Sequence, residues 1–222
     1  MAGEPMAWHF PFLEMLFISV GLVTLGHAWQ ARVGGDGFPL RLWLTALTYG
    51  LLMEILSYNF VDSFTHAQFT VMLYHQQLPL YIVFLYPVFL YLGWQVARAL
   101  ELPPVAEACA AGLFAVMLDL PFDVLGPPLG WWTWSATDPN VAYRWAGVPV
   151  ASYLWHFKFG GLLVFLARRC ERRPRLAVLV PIASILGGAL LFLPFHLANL
   201  AGLDAGIYTG LVFLLAAGLV LC

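Results

Sequence analysis

Apolar residues run through this chain in long blocks, each closed by a short polar or proline-containing turn. A block of about 20 residues at a helical rise crosses the hydrocarbon of a bilayer, so the pattern predicts membrane-spanning helices. Seven spans are predicted: Phe10–Arg32, Leu40–Phe60, Leu78–Leu100, Val105–Leu125, Val148–Arg169, Leu176–Leu200 and Ala205–Cys222. The stretch between the fourth and fifth, GPPLGWWTWSATDPNVAYRWAG at 126–147, is too rich in proline, glycine and tryptophan to be a span and reads as a loop. The N-terminus, MAGEPMAWHFPFLEM, lacks the basic flank of a signal peptide, so the first block is read as a retained span. The expected fold is all-α: one polytopic membrane helical domain over residues 1–222, lodged in the lipid bilayer.

Composition agrees. Of 222 residues, 62% are hydrophobic and 10% charged, far from the roughly 45–50% and 25% of soluble proteins. A net charge of −2, with no basic patch interleaved with aromatics, gives no reason to expect a nucleic-acid partner. Cys109, Cys170 and Cys222 show neither CxxC spacing nor a disulfide framework and read as small apolar residues. Arg32, Arg41, Arg98, Arg168, Arg169, Arg172, Arg173 and Arg175 cluster at alternate connections, which predicts those connections to be cytoplasmic. The N-terminus is then outside and the C-terminus cytoplasmic, with Arg144 alone on the other side. The chain stops inside an apolar run without a polar tail, which suggests a truncated C-terminus.

With that orientation, the polar side chains converge on the extracytoplasmic half. Glu14, Glu54, Asp62, His66, His75, Asp119, Asp123, His156 and His196 all fall there, and only His27 clearly falls in the other half. Ionisable groups in a bilayer are costly and mark functional paths, so a site is expected in this half, roofed by the 126–147 loop. The competing reading for His66, His75 and His196 is interfacial snorkelling. Asp119 and Asp123 stand four residues apart, on one face of a helix, and like charges that close favour one of the pair keeping its proton. Pro121 lies between them and invites a kink that would turn Asp123 away from Asp119. Gly160-Gly161 and Gly187-Gly188 read as close helix contacts. Lys158, the sole lysine, is expected in an ion pair with a carboxylate rather than in a Schiff base.

A metal site would draw on Asp62, His66, His75, His156 and His196, of which Asp62 and His66 are spaced for one helical face. No HExxH, HxxxH or Glu-x-x-His pattern supports it, and no cofactor motif, nucleophile elbow or phosphate loop is present. What remains is acid chemistry on something apolar. A protonated carboxyl in a dry pocket protonates an isolated carbon–carbon double bond, and water or a second alkene captures the tertiary cation. Trp131, Trp132, Trp134 and Trp145 form either an interfacial aromatic belt or the walls that stabilise that cation.

Asp119-Leu-Pro-Phe-Asp123, Gly130-Trp-Trp132-Thr-Trp134, Gly147-Val148-Pro149 and Trp155 follow one another in an order that resembles the integral-membrane carotenoid hydratase family, also called the carotenoid biosynthesis protein family. Its members carry DLxxD, a GxWxW loop and GVP, with a glutamate on an earlier span that Glu54 matches. Ser152 stands where the family usually has asparagine after GVP. The resemblance implies water addition across a terminal isoprenoid double bond without an organic cofactor. Asp119 or Asp123 would donate the proton, and Glu54 would be its partner or the base that activates water. Trp132 and Trp134 would wall the cation, and Trp131, Tyr58, Trp155 and His156 would complete the substrate-binding set. The expected ligand is a long apolar isoprenoid or lipid, and homo-oligomerisation is left open. Three other readings stand beside this one: a membrane terpene cyclase, a metal-dependent oxidase or hydroxylase, and a non-enzymatic lipid- or pigment-binding subunit.

Overall fold

The computed structural model describes residues 6–221. The apolar blocks fold as α1 (His9–Val33), α2 (Phe38–Leu56), α3 (Leu80–Ala99), α4 (Pro104–Leu125), α5 (Val150–Trp155), α6 (Gly161–Arg169), α7 (Val180–Leu200) and α8 (Ala205–Leu221). A π-helical turn, Ser57–Val61, extends α2, and another, His156–Gly160, joins α5 to α6. Six of the resulting helical stretches are long and apolar enough to cross a membrane, and their ends agree with the first six predicted spans to within two residues. The last predicted span is the shorter apolar helix α8, of 17 residues, and Cys222 lies outside the described residues. The chain is therefore an all-α, multi-pass membrane bundle. Prolines at the first turns of α2, α4 and α7 occupy positions where a missing amide hydrogen costs nothing.

α3 is the central helix, packed against α1, α2 and α4, and α4 in turn contacts the second π turn, α6 and α8. Small residues let these helices approach closely. A Cβ on Gly93 would stand 2.8 Å from the Ala111 carbonyl oxygen, and one on Gly161 would stand 2.8 Å from that of Ala108. Gly188 lies against the Phe159 ring, so both predicted glycine pairs do sit at helix contacts. The outer surfaces of α7 and α8 expose Leu186, Leu190, Leu214 and Leu215, as a surface facing hydrocarbon should. The arginine-bearing end is tied by Arg98 to Asp36 at 3.5 Å and by Arg168 to Glu107 at 3.2 Å, with the Trp94 indole donating to Glu107 at 3.1 Å.

Two sequence expectations are corrected here. Among the described residues Lys158 makes no ion pair: its amine donates to the Leu191 carbonyl at 2.8 Å and the Tyr208 hydroxyl at 2.9 Å, and sits 4.8 Å from the Tyr208 ring centre. α7 and α8, which supply these partners, carry no carboxylate along their lengths. Asp62 and His66 do not share a helical face, because helical structure ends at Val61 and Asp62 takes a left-handed φ of 51°.

Past that turn the chain forms strands that the apolar pattern does not announce. β1 (Phe64–His66) pairs antiparallel with β4 (Trp132–Trp134), so the connection after α2 and the loop after α4 close over the same end of the bundle. β2 (Met72–Leu73) pairs with β3 (Leu78–Pro79), and β5 (Arg144–Trp145) with β6 (Val148–Pro149).

Candidate functional site

The β1–β4 ribbon covers a cavity of about 100 Å³ walled by α2, α3, α4 and the fifth span. Side chains alternate across a strand, so the ladder pairs Phe64 with Trp134 and His66 with Trp132 on the cavity side, and leaves Thr65 and Thr133 exposed on the other. Ile82, Leu85, Phe89 and Trp155 make the apolar walls.

Three buried carboxyl groups line the cavity. Glu54, in the last turn of α2, accepts hydrogen bonds from the Tyr58 hydroxyl at 2.5 Å and the Tyr86 hydroxyl of α3 at 2.7 Å. Its Oε2 lies 3.4 Å from His66 Nε2, close enough for an ion pair, although neither ring nitrogen of His66 meets hydrogen-bond geometry with a protein partner. Asp119 and Asp123 come from the last turns of α4, which runs through Pro121 without a break, and both carboxyl groups line the cavity from one face of the helix. The kink expected to part them is not there: so near the helix end, the proline forfeits a single backbone bond. Ser152 Oγ donates to Asp123 at 2.5 Å. His156 Nδ1 lies 3.1 Å from the Ser152 carbonyl and 3.4 Å from Asp119 Oδ2. The Ser152 carbonyl can only accept, so in that hydrogen bond this nitrogen carries the ring hydrogen.

Most of the predicted site residues meet here. Glu54, Asp119, Asp123, Trp132, Trp134, Trp155 and His156 line the cavity, while Tyr58 acts on Glu54 rather than as a wall. Trp131 is corrected: its indole donates to His9 Nδ1 at 3.0 Å, because adjacent residues at the start of a strand point to opposite sides. Trp145 packs on Tyr153, away from the cavity. The residues considered for a metal are scattered. His66 and His156 line the cavity, Asp62 and His75 are exposed, and His196 bonds the Asn140 amide oxygen at 2.9 Å. Among the described residues no group of three or more His, Cys, Asp or Glu side chains could hold a metal ion.

Sequence reasoning passed over Tyr86 and Ser152 as functional groups and did not connect His66 with Glu54. Tyr86 is one of three tyrosines in its span, with Tyr81 and Tyr91, so its hydroxyl gave no signal of its own. Ser152 drew notice only as a departure from the GVP context.

Residues 7–173 match the model of a family described as "Domain of unknown function (DUF7802)", a stretch that contains every residue lining the cavity. No curated protein and no solved structure matches the chain.

Proposed function

The chain belongs to the DUF7802 family, and we propose that it is an integral-membrane hydratase, protonating an isoprenoid carbon–carbon double bond and adding water to the cation. The observation that carries this reading is the Asp119–Asp123 carboxyl pair lining the same aromatic-walled cavity as Glu54 and His66. Two carboxyl groups buried one helical turn apart cannot both ionise cheaply, so one of them keeps its proton. That proton passes to the less substituted alkene carbon, forming a C–H bond and leaving a tertiary cation. The faces of Trp132, Trp134 and Trp155 stabilise the cation, an interaction worth about 2 kcal/mol or more when desolvated. Water then forms the C–O bond and loses a proton to Glu54, directly or through His66. One proton is consumed and one released, so alkene and water give a tertiary alcohol.

The size of the cavity supports addition at a chain end. About 100 Å³ has room for roughly seven to ten waters, which suits a terminal isoprene unit better than a long chain folded for cyclisation. The rest of the substrate would pass between helices into the bilayer. The arginines at the opposite end support an extracytoplasmic position for the cavity and an outside N-terminus.

The test is to incubate the protein, held in lipid nanodiscs, with an acyclic carotenoid such as lycopene in ¹⁸O-labelled water. The expected product carries one added water with the heavy oxygen. A product of unchanged mass would mean cyclisation instead, and no conversion of acyclic isoprenoids would overturn the proposal. Tyr86→Phe keeps the ring but removes one of the two phenol donors to Glu54. It is expected to lower turnover about tenfold or more with little change in melting temperature. Unchanged turnover would remove Glu54 from the mechanism.

A further inference from the structure

We infer that the β1–β4 ribbon holds a neutral oxygen of the substrate, a hydroxyl, ether or carbonyl close to the reacting double bond. The inference rests on the proposal that the cavity is a substrate site, and it names a class of substrate: an oxygen-bearing isoprenoid, bound in preference to the pure hydrocarbon.

The ribbon turns three polar rings toward the cavity, those of His66, Trp132 and Trp134. Tyr81 of α3 packs edge-on against His66, with ring centres 6.5 Å apart. The indole nitrogens of Trp132 and Trp134, both ring nitrogens of His66 and the Tyr81 hydroxyl are all buried, and among the described residues none has a partner in hydrogen-bond geometry; only His66 Nε2 has a charged neighbour, Glu54 at 3.4 Å. Buried donors without acceptors are rare because each forfeits its hydration. The indoles of Trp43, Trp94 and Trp131 show the ordinary outcome, donating to Thr24, Glu107 and His9 at 3.0–3.1 Å. Of the exceptions, His66, Trp132 and Trp134 line one cavity, and Tyr81 packs on His66 behind that lining.

An indole nitrogen can only donate, so what sits there must accept. An anion is disfavoured, since Glu54, Asp119 and Asp123 line the same cavity and no lysine or arginine does. A neutral oxygen meets both conditions. Room for roughly seven to ten heavy atoms keeps that oxygen within about two isoprene units of the double bond facing the aspartates, a condition that an allylic alcohol meets.

The test compares equilibrium binding of geranylgeraniol with that of the hydrocarbon in which its hydroxyl is replaced by hydrogen, using the full chain in nanodiscs. The wild-type protein is expected to prefer the alcohol about tenfold or more, and the alcohol alone should shift indole N–H resonances. Trp132→Phe and Trp134→Phe should each reduce the preference to about threefold or less while leaving hydrocarbon affinity in place. If either substitution disturbs folding, benzothienylalanine at that position keeps the tryptophan shape and removes only the N–H. Equal binding of the two ligands by the wild-type protein would overturn the inference and leave water as the partner of these donors. A preference that survives both substitutions would also overturn it. Binding of neither ligand would sink the substrate site itself. A retained oxygen preference with no labelled water in any product would sink the hydratase proposal alone.

Discussion

Asp119→Asn is expected to lower water addition by about 10²–10⁴-fold, the range a positioned general acid contributes, and Asp123→Asn is expected to do the same. Asparagine keeps the shape and an acceptor oxygen, so Ser152 still has its bond at position 123 and the packing of α4 is preserved. What is lost is the carboxylic proton held by the pair. Turnover and melting temperature measured on the same nanodisc samples separate chemistry from folding: the first should collapse while the second moves little. Near-normal turnover in both variants would show that neither aspartate is the acid.

Gly112→Val is expected to bring the largest loss of stability. A Cβ at Gly112 would stand 2.5 Å from the carbonyl oxygen of Phe157, a backbone atom that no rotamer change can move aside. α4 and the fifth span would have to part, at a cost of about 1–3 kcal/mol or more. The same separation would open the 3.4 Å contact between Asp119 and His156, since both lie on the elements being forced apart, and turnover would fall with stability. Gly218 of α8 is the control, because a Cβ there meets nothing within 4 Å and Gly218→Val should be nearly neutral. Denaturant unfolding of the two variants in detergent checks this. Equal stability would mean that α4 and the fifth span are not in backbone contact at Gly112.

The spans were legible because hydrocarbon imposes one requirement, an apolar run long enough to cross it, and six runs meet it. Glu54, Asp119 and Asp123 were legible for the converse reason: a carboxyl group inside such a run is costly enough to need an explanation. The roof was not. Strands of three residues leave no periodicity to read, and the β1–β4 ladder joins segments more than about 60 residues apart. His66 was therefore weighed as a snorkelling or metal-binding residue, when the ladder sets it beside Glu54. The same ladder decides between neighbours that composition treats alike, sending Trp132 inward and Trp131 to His9. Lys158 was misread for a related reason. Its charge suggested a charged partner, whereas its direction, fixed only by packing, gives it a carbonyl and a phenol.

The π turn at His156–Gly160 gives the fifth span two phases. A π turn holds one residue more than the α-helical path it replaces, and one residue is about 100° of rotation at 3.6 per turn. Ser152 and Trp155 before it, with His156 at its first position, are thereby set toward the cavity independently of Leu163, Val164 and Ala167 after it, which are buried in the bundle. Deleting a single residue within the turn would leave a regular helix of nearly the same length that can satisfy one phase or the other, never both.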